Sequence, residues 1–390
     1  MTIQYKDPAN GKPSSVGSQL QTFYYLRQAL TEVAKERYFG QLASAQAIPA
    51  NYGKTIKRFH YMPILDDRNV NDEGIDATGA KITNGNLYGS SKDIGSIPGK
   101  LPLLGENGGR VNRVGVTRLE LEGTFEKFGF FTEYTRDAMN FDSDADLLMH
   151  INRELLTAAN QITEDALQID LINNAGTIRL AGDATSRSEI GNGDIITYAD
   201  LMRAGIDLDQ NLTPKHTSML TGTRNIDTKV VPGARYAYIG SELIPTLRAM
   251  KDLHDNPAFI PAEQYAAGTT LAAGEIGQVD AFRFIVNPNM LRWVGGGAAL
   301  AGGDEDTYHN DGANYDVFPI LIVGDQSFAT ITFQTTGNSV KFEINHKKPS
   351  ENIDRLDPYG ETGFISIRWF YGFMALRPER IALIQTAALM

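Results

Sequence analysis

Between positions 143 and 175, apolar residues recur at three- and four-residue steps: Leu148, Ile151, Leu155, Ala158, Ile162, Ala166 and Ile169. Arg153, Thr157, Asn160, Glu164 and Gln168 fall on another side as a polar stripe. That period predicts one unbroken helix over 143–175 with one face buried. Ser143 is placed to cap its start, Asp144 and Asp146 face the positive end of the helix dipole, and Asn173-Asn174-Ala175-Gly176 supplies a left-handed stop. A helix of this length is about 50 Å long. It needs a sheet or a neighbouring chain alongside it, because isolated amphipathic helices are marginal in water.

The remaining pattern surrounds that helix. Leu20, Phe23, Tyr24, Leu30 and Leu42 suggest an amphipathic helix within 16–47, ended by Ile48-Pro49. Lys54–Tyr61 and Val114–Tyr134 alternate as strands, with Gly123 and Gly129 as expected bulges or bends. Between them, residues 66–110 have no helical period and nine glycines in 45 positions, yet Val70, Ile75, Ile82, Leu87, Ile94 and Leu101 are dispersed through them. A structureless loop of this length is uncommon inside a compact domain. The geometry expected is a long two-stranded arm whose irregular tip buries its apolar residues on another subunit.

Beyond Gly176 the pattern predicts a helix at 198–209 capped by Thr197, a strand at Tyr236–Ile239, a helix around Pro245–Leu253, and strands at Asp280–Val286 and Val317–Val323. From Ser327 onward nearly everything reads as strand. The strands before the long helix and those at the end of the chain are expected to form one α+β domain with it, interrupted by an inserted α/β region.

Composition narrows the function classes. The 390 residues, 42% hydrophobic, can hold a large core in two or three domains. The absence of cysteine excludes disulfides, thiolate metal sites and cysteine nucleophiles. The start MTIQYKDPANGK lacks the basic-then-apolar pattern of a signal peptide, and no apolar run is long enough to span a bilayer, so a cytoplasmic product with no membrane partner is expected. Residues 1–60 carry eight Lys or Arg against three acids, net +5, which leaves −16 of the total −11 on residues 61–390. A basic arm on an acidic body argues against a dedicated DNA-binding surface over most of the molecule.

Candidate chemistry is sparse. The histidines His60, His150, His216, His254, His309 and His346 keep no metal-ligand spacing, and the Asp304–Asp311 run lacks the spacing of a calcium loop. Gly53-Lys54-Thr55 follows Ile48 where a phosphate loop needs glycine, and Gly295-Gly296-Gly297 does not continue as a dinucleotide fingerprint. Lys54, Lys57 and Arg58 alternate weakly with Phe59 and Tyr61. No catalytic, cofactor-binding or metal residues are therefore assigned, no cofactor is expected, and the chain is not read as an enzyme.

Four stretches carry a resemblance. Pro49-Ala50-Asn51-Tyr52-Gly53-Lys54-Thr55-Ile56, then Gly115–Tyr134 leading into the long helix, then Gly274-Glu275-Ile276-Gly277 followed by Arg283-Phe284, and Asp316-Val317-Phe318-Pro319-Ile320-Leu321-Ile322-Val323-Gly324 occur in order. Together they resemble the major capsid proteins of enquatrovirus-type (N-four-like) podophages, which have the Hong Kong ninety-seven capsid fold. The resemblance implies an N-terminal arm at 1–53, an extended loop at 54–117, a peripheral domain at 118–186 and 327–390 around a spine helix at 143–175, and an axial domain at 187–326. It implies a virion protein that self-assembles as pentamers and hexamers into an icosahedral shell around double-stranded DNA. Portal, scaffolding and decoration proteins are the further partners, and assembly takes place in the bacterial cytoplasm. Lys81, Lys92 and Lys100 lie in the loop that some relatives crosslink, but no pattern identifies a partner, so crosslinking is not expected. An encapsulin-like compartment shell and a soluble α/β enzyme are the alternatives.

Overall fold

The computed structural model describes residues 38–49, 53–61, 116, 118–137, 147–220, 228–265, 271–334, 342–351, 353 and 357–390. Two sheets and one long helix dominate them. The strands are β1 Ser44–Pro49, β2 Thr55–Tyr61, β3 Arg118–Thr135, β4 Thr177–Leu180, β5 His216–Leu220, β6 Thr228–Pro232, β7 Arg235–Ile239, β8 Ile260–Pro261, β9 Glu275–Val279, β10 Phe282–Val286, β11 Phe318–Val323, β12 Phe328–Gln334, β13 Phe342–Lys347, β14 Thr362–Ala375 and β15 Ile381–Thr386. The α-helices are α1 Leu147–Asn173, α2 Tyr198–Gln210 and α3 Ile244–Ala249.

A seven-stranded mixed sheet runs β4-β15-β11-β7-β10-β9-β8. Its middle strands are buried at every position: FPILIV in β11 is wholly apolar, and IALIQT in β15 is apolar up to Gln385 and Thr386, whose side chains accept from Arg187 Nε and Ile196 N–H. A strand with no polar face must be covered on both sides. One face packs Phe282, Phe284, Ile320, Ile322 and Ile384 against Leu201, Ala204 and Leu208 of α2 and Leu247 of α3. The other packs Tyr236, Tyr238, Leu321 and Leu383 against Leu167 and Leu171 of α1. The sequence pattern groups β15 with the other C-terminal strands; the structure instead pairs it with β11 and β4. Double-sided burial explains the difference, since a strand buried at all six positions fits only an interior place in a covered sheet.

The second sheet runs β1-β12-β14-β3-β2, with β13 added on β14. β3 has 18 residues, so it spans about 60 Å. Its buried or half-buried positions are odd from Leu121 to Phe125 and even from Phe130 to Tyr134, a change of phase across the stretch that includes Gly129, whereas Gly123 lies within regular alternation. By contact the described chain divides into two compact units. One comprises Glu36–Phe130, Asn160–Ile344 and Arg368–Met390; the other includes Phe131–Ala159 and Asn345–Ile367. In the second, Tyr134 Oη lies 2.5 Å from His346 Nε2 and Arg136 Nη1 lies 4.0 Å from Glu361 Oε1.

Four local expectations are corrected. The α1 stripe buried in the structure is Leu155, Ala159, Thr163, Leu167 and Leu171, a strict four-residue lane, while Ile162 and Ile169 are about half exposed (49% and 48%). Gln168, expected on the polar side, is fully buried and donates Nε2 to Met290 Sδ. Gly176 does not adopt a left-handed conformation. Its N–H reaches Pro378 O and Ile381 O, and a Cβ there would come within 2.5 Å of Pro378 O, so close backbone approach is what requires glycine. Finally, the amphipathic period over 16–47 does not continue as helix to Ala47. Residues 39–42 form a single 3-10 turn and 44–49 a strand parallel to β12; residues 16–37 lie outside the described residues, as do Ser143, Asp144 and Asp146.

Candidate assembly elements

The first element is the β2–β3 ribbon. Thr55–Tyr61 pairs antiparallel with Arg118–Thr124, and β2 forms one edge of its sheet. On one face Lys57 Nζ lies 2.5 Å from Glu122 and 3.6 Å from Glu120, Arg118 lies 3.5 Å from Glu120, and the Arg118 guanidinium sits 4.1 Å above the Phe59 ring. The hydrogen bond to Glu122 raises the Lys57 pKa above its usual value. These groups are exposed, so the pairs order the ribbon without contributing much stability. Phe59, Tyr61 and Leu119 are 45%, 61% and 46% exposed. Ile56 and Leu121 pack against the cluster of Phe125, Ile331 and Met374, so it is beyond them that the ribbon leaves apolar side chains in water. Lys81, Lys92 and Lys100, in the loop it carries, lie outside the described residues.

The second element is the root of the amino-terminal segment. Phe39 is 1% exposed and its ring lies 4.4 Å from that of Tyr238; Leu42 and Ala43 are buried in the same cluster. Around this plug sits a set of polar contacts. The Glu164 carboxylate on α1 accepts from Phe39 N–H at 2.9 Å and Gly40 N–H at 3.3 Å. Tyr238 donates Oη to Tyr38 O at 2.9 Å. Gln41 pairs reciprocally with the Ala273 main chain, accepting from its N–H at 3.1 Å and donating to its carbonyl at 3.4 Å. Burial pushes the Tyr238 hydroxyl pKa well above its ordinary value, so it stays a donor.

That root leans directly on the Gly274-Glu275-Ile276-Gly277 motif. Gly274 has φ +78, and a Cβ there would meet the Tyr38 ring at 2.5 Å. The Glu275 side chain is fully buried, accepts from Ala272 N–H at 2.9 Å and lies 3.5 Å from Arg283 Nη1. Burial raises its pKa. The Arg283 guanidinium also covers the Tyr265 ring at 5.1 Å, and burial pushes the nearby Tyr236 hydroxyl up to about 12. At Gly277 a Cβ would collide with Phe259 at 2.4 Å and with Ile260 O at 2.5 Å. The motif and the following Arg283-Phe284 therefore encode a tight turn, a buried ion pair and the support of the arm root.

Among the described residues, sites of conventional chemistry do not assemble. His216 lies 3.9 Å from Asp325, His309 packs on Phe318 at 5.4 Å, and His254 N–H donates to Asp252. Asp311 accepts from Ala313 and Asn314 N–H and Asp304 from Tyr315 Oη, so the acidic run folds onto its own loop. Among the described residues no group of three or more His, Asp or Glu could hold a metal ion. No described helix is long and apolar enough to cross a membrane. Of the polar positions on α1, Arg153 is exposed, Asn160 half-buried, and Glu164 holds the arm root.

Comparison with known proteins decides what these elements belong to. A family described as phage capsid protein matches residues 118–384. The chain belongs to that family. It is 58% identical over 386 residues to the major capsid protein of Pseudomonas phage KPP21, covering 99% of this chain and 97% of that one. Its fold is similar to the capsid of Ralstonia phage GP4 (TM-score 0.60, 12% identity, 100% and 98% of the two chains) and to the head structure of Helicobacter pylori bacteriophage KHP40 (TM-score 0.53, 11% identity, 99% and 98%). The phage capsid chain thus has the α+β Hong Kong ninety-seven fold expected from sequence, and is a structural protein and not an enzyme.

Proposed function

We propose that this chain is the major capsid protein of a tailed phage of the enquatrovirus type, tiling as pentamers and hexamers into a closed icosahedral shell around double-stranded DNA. The observation that carries the reading is 58% identity along nearly the whole length of a phage major capsid protein. The order of the Pro49–Ile56, Gly115–Tyr134, Gly274–Ile285 and Asp316–Gly324 stretches supports the enquatrovirus type. In this reading residues 1–53 are the N-terminal arm, of which 38–43 are the root, and 54–117 are the extended loop that overlaps a neighbour. Residues 118–186 and 327–390 make the peripheral domain, with the spine helix at 143–175, and 187–326 the axial domain, to whose sheet β15 at 381–386 returns by pairing with β11. The exposed Phe59 and Tyr61 of the ribbon beneath the loop support the clasp, because aromatic surface of this kind gains cover by association. Shell contacts of this kind are heterologous and close by rotation.

Portal, scaffolding and decoration proteins are the further partners, and assembly takes place in the host cytoplasm before the subunits become virion shell. The net −16 of residues 61–390 suits an inner surface that does not cling to packaged DNA; tight, salt-independent binding of duplex by the isolated chain would contradict that. The contents of particles from phage-producing cells test the reading. Nuclease-protected double-stranded DNA is expected, and a protein cargo in its place would make the chain an encapsulin-like compartment shell instead.

A further inference from the structure

The register of β9 puts a carboxylate on a face that regular alternation would deny it. Phe282, Arg283 and Phe284 stand opposite Val279, Gln278 and Gly277, but Ile285 stands opposite Glu275, so Ile276 is an extra residue on β9. Arg283 also stands opposite Tyr236 of β7, and residues directly opposite on neighbouring strands share a face. Ile285, two positions beyond Arg283, is on that face too. The bulge therefore turns Glu275 to the side of Arg283 and Tyr236. Tyr265, which follows the 3-10 turn at 262–264, completes the set, its ring 5.1 Å from the Arg283 guanidinium.

Three polar atoms of this set are buried with no hydrogen-bond partner among the described residues: Tyr236 Oη, Tyr265 Oη and Glu275 Oε1. Tyr236 and the Glu275 side chain are fully buried. Glu275 spends its other oxygen on Ala272 N–H, while Oε1 stands 3.5 Å from Arg283 Nη1 as an ion pair without a hydrogen bond. Burial and the Glu275 charge together keep both tyrosine hydroxyls protonated. Two donors and one acceptor are thus gathered around one carboxylate. A buried polar group left unbonded carries its full desolvation penalty, and native interiors rarely keep several such groups together uncompensated.

We propose that Tyr236, Tyr265 and Glu275 hold one ordered water molecule, which accepts from both hydroxyls and donates to Glu275 Oε1. A buried water typically makes about three hydrogen bonds of this kind. It ties β7 and the turn after β8 to the first residue of β9, and so fixes the bulge that the Gly274–Gly277 motif encodes. The site belongs to the folded subunit and does not depend on the shell reading.

The test uses full-length Tyr236→Phe, Tyr265→Phe and the double variant, which keep the rings and remove only the hydroxyls. Urea unfolding of the unassembled subunit reads the sign of each change. A hydroxyl bonded to water supports the fold, whereas removing an unbonded buried hydroxyl is neutral or favourable. Each single variant is expected to lower the unfolding midpoint by about 0.2–0.5 M. The double variant is expected to fall well short of the sum, because both hydroxyls hold the same water. A structure of the wild-type subunit or shell at a resolution that shows waters is expected to place one oxygen about 2.7–3.0 Å from all three atoms. A midpoint unchanged or raised in either single variant, strictly additive losses, or a resolved site in which no water oxygen joins the three atoms overturns the proposal.

Discussion

Replacing Phe39 by alanine separates a root that belongs to the core from an arm that merely lies on the surface. Phe39 is 1% exposed, touches the Tyr238 ring at a centroid distance of 4.4 Å, and shares a cluster with Leu167, Leu171, Leu321 and Val323. Core Phe→Ala changes cost about 3–5 kcal/mol through lost transfer energy and the cavity left behind. The lower end applies here, because Tyr38 and Phe373 flank the cluster half-buried and can settle towards the space. With a urea slope of roughly 3 kcal/mol/M, a loss of about 3 kcal/mol lowers the unfolding midpoint by about 1 M. The assay is urea unfolding of the unassembled subunit at low concentration, followed by tryptophan emission; Trp293 packs against the same cluster and reports on it. Tyr359→Ala, at a position 82% exposed, serves as the control and is expected to stay within about 0.5 kcal/mol. A Phe39→Ala midpoint that matches the control would refute the reasoning and return residues 38–43 to a freely attached arm.

Removing Gly74–Gly105 shortens the loop carried by the β2–β3 ribbon; the expected product folds with an unchanged far-ultraviolet spectrum but fails to close shells, and normal shells from it would contradict the clasp. Arg235 is 1% exposed and donates to Asp209 Oδ1 and Thr213 O, both at 2.5 Å. Burial opposes charge on Asp209, but the hydrogen bonds from Arg235 and Lys215 outweigh it and hold the carboxyl below its ordinary 3.8. A depressed carboxyl stabilises the fold above its unfolded value and loses that contribution as pH falls through the folded one. Asp209 is 45% exposed, so solvent screens the pair and Asp209→Asn is expected to cost about 1 kcal/mol at pH 7, with the gap to wild type closing as pH falls below about 4; a gap that persists unchanged at pH 3 would contradict the pairing.

Which parts of this were legible in the sequence follows from how local their causes are. The helix at 198–210 was readable because its signal is local: Thr197 and Asp200 form a reciprocal capping box. The long helix was readable from its period, but not its buried lane. Ile162 and Ile169 fit a seven-residue spacing as well as any core pair, and only the position of the sheets selects the lane through Ala159 and Thr163. The root at 38–43 reads as helix in the sequence because Tyr38 and Leu42 keep a helical interval; the burial of Phe39 and Leu42 comes from β7 and α1, nearly 200 and 130 positions away. β15 was placed with its chain neighbours because periodicity carries no information about strand order. The Gly274–Gly277 motif was visible as a pattern before its cause was: a residue ring, a phenylalanine and a distant carbonyl occupy the space that side chains would need. Glu164, picked out as a polar position on the helix, was legible as a residue to watch, while its partners Phe39 and Gly40 were not.

Assembly itself tests the central claim most directly. The purified chain, concentrated and observed by light scattering and electron microscopy, is predicted to form megadalton shells or the pentamers and hexamers that build them. A stable monomer or dimer at high concentration would contradict the account.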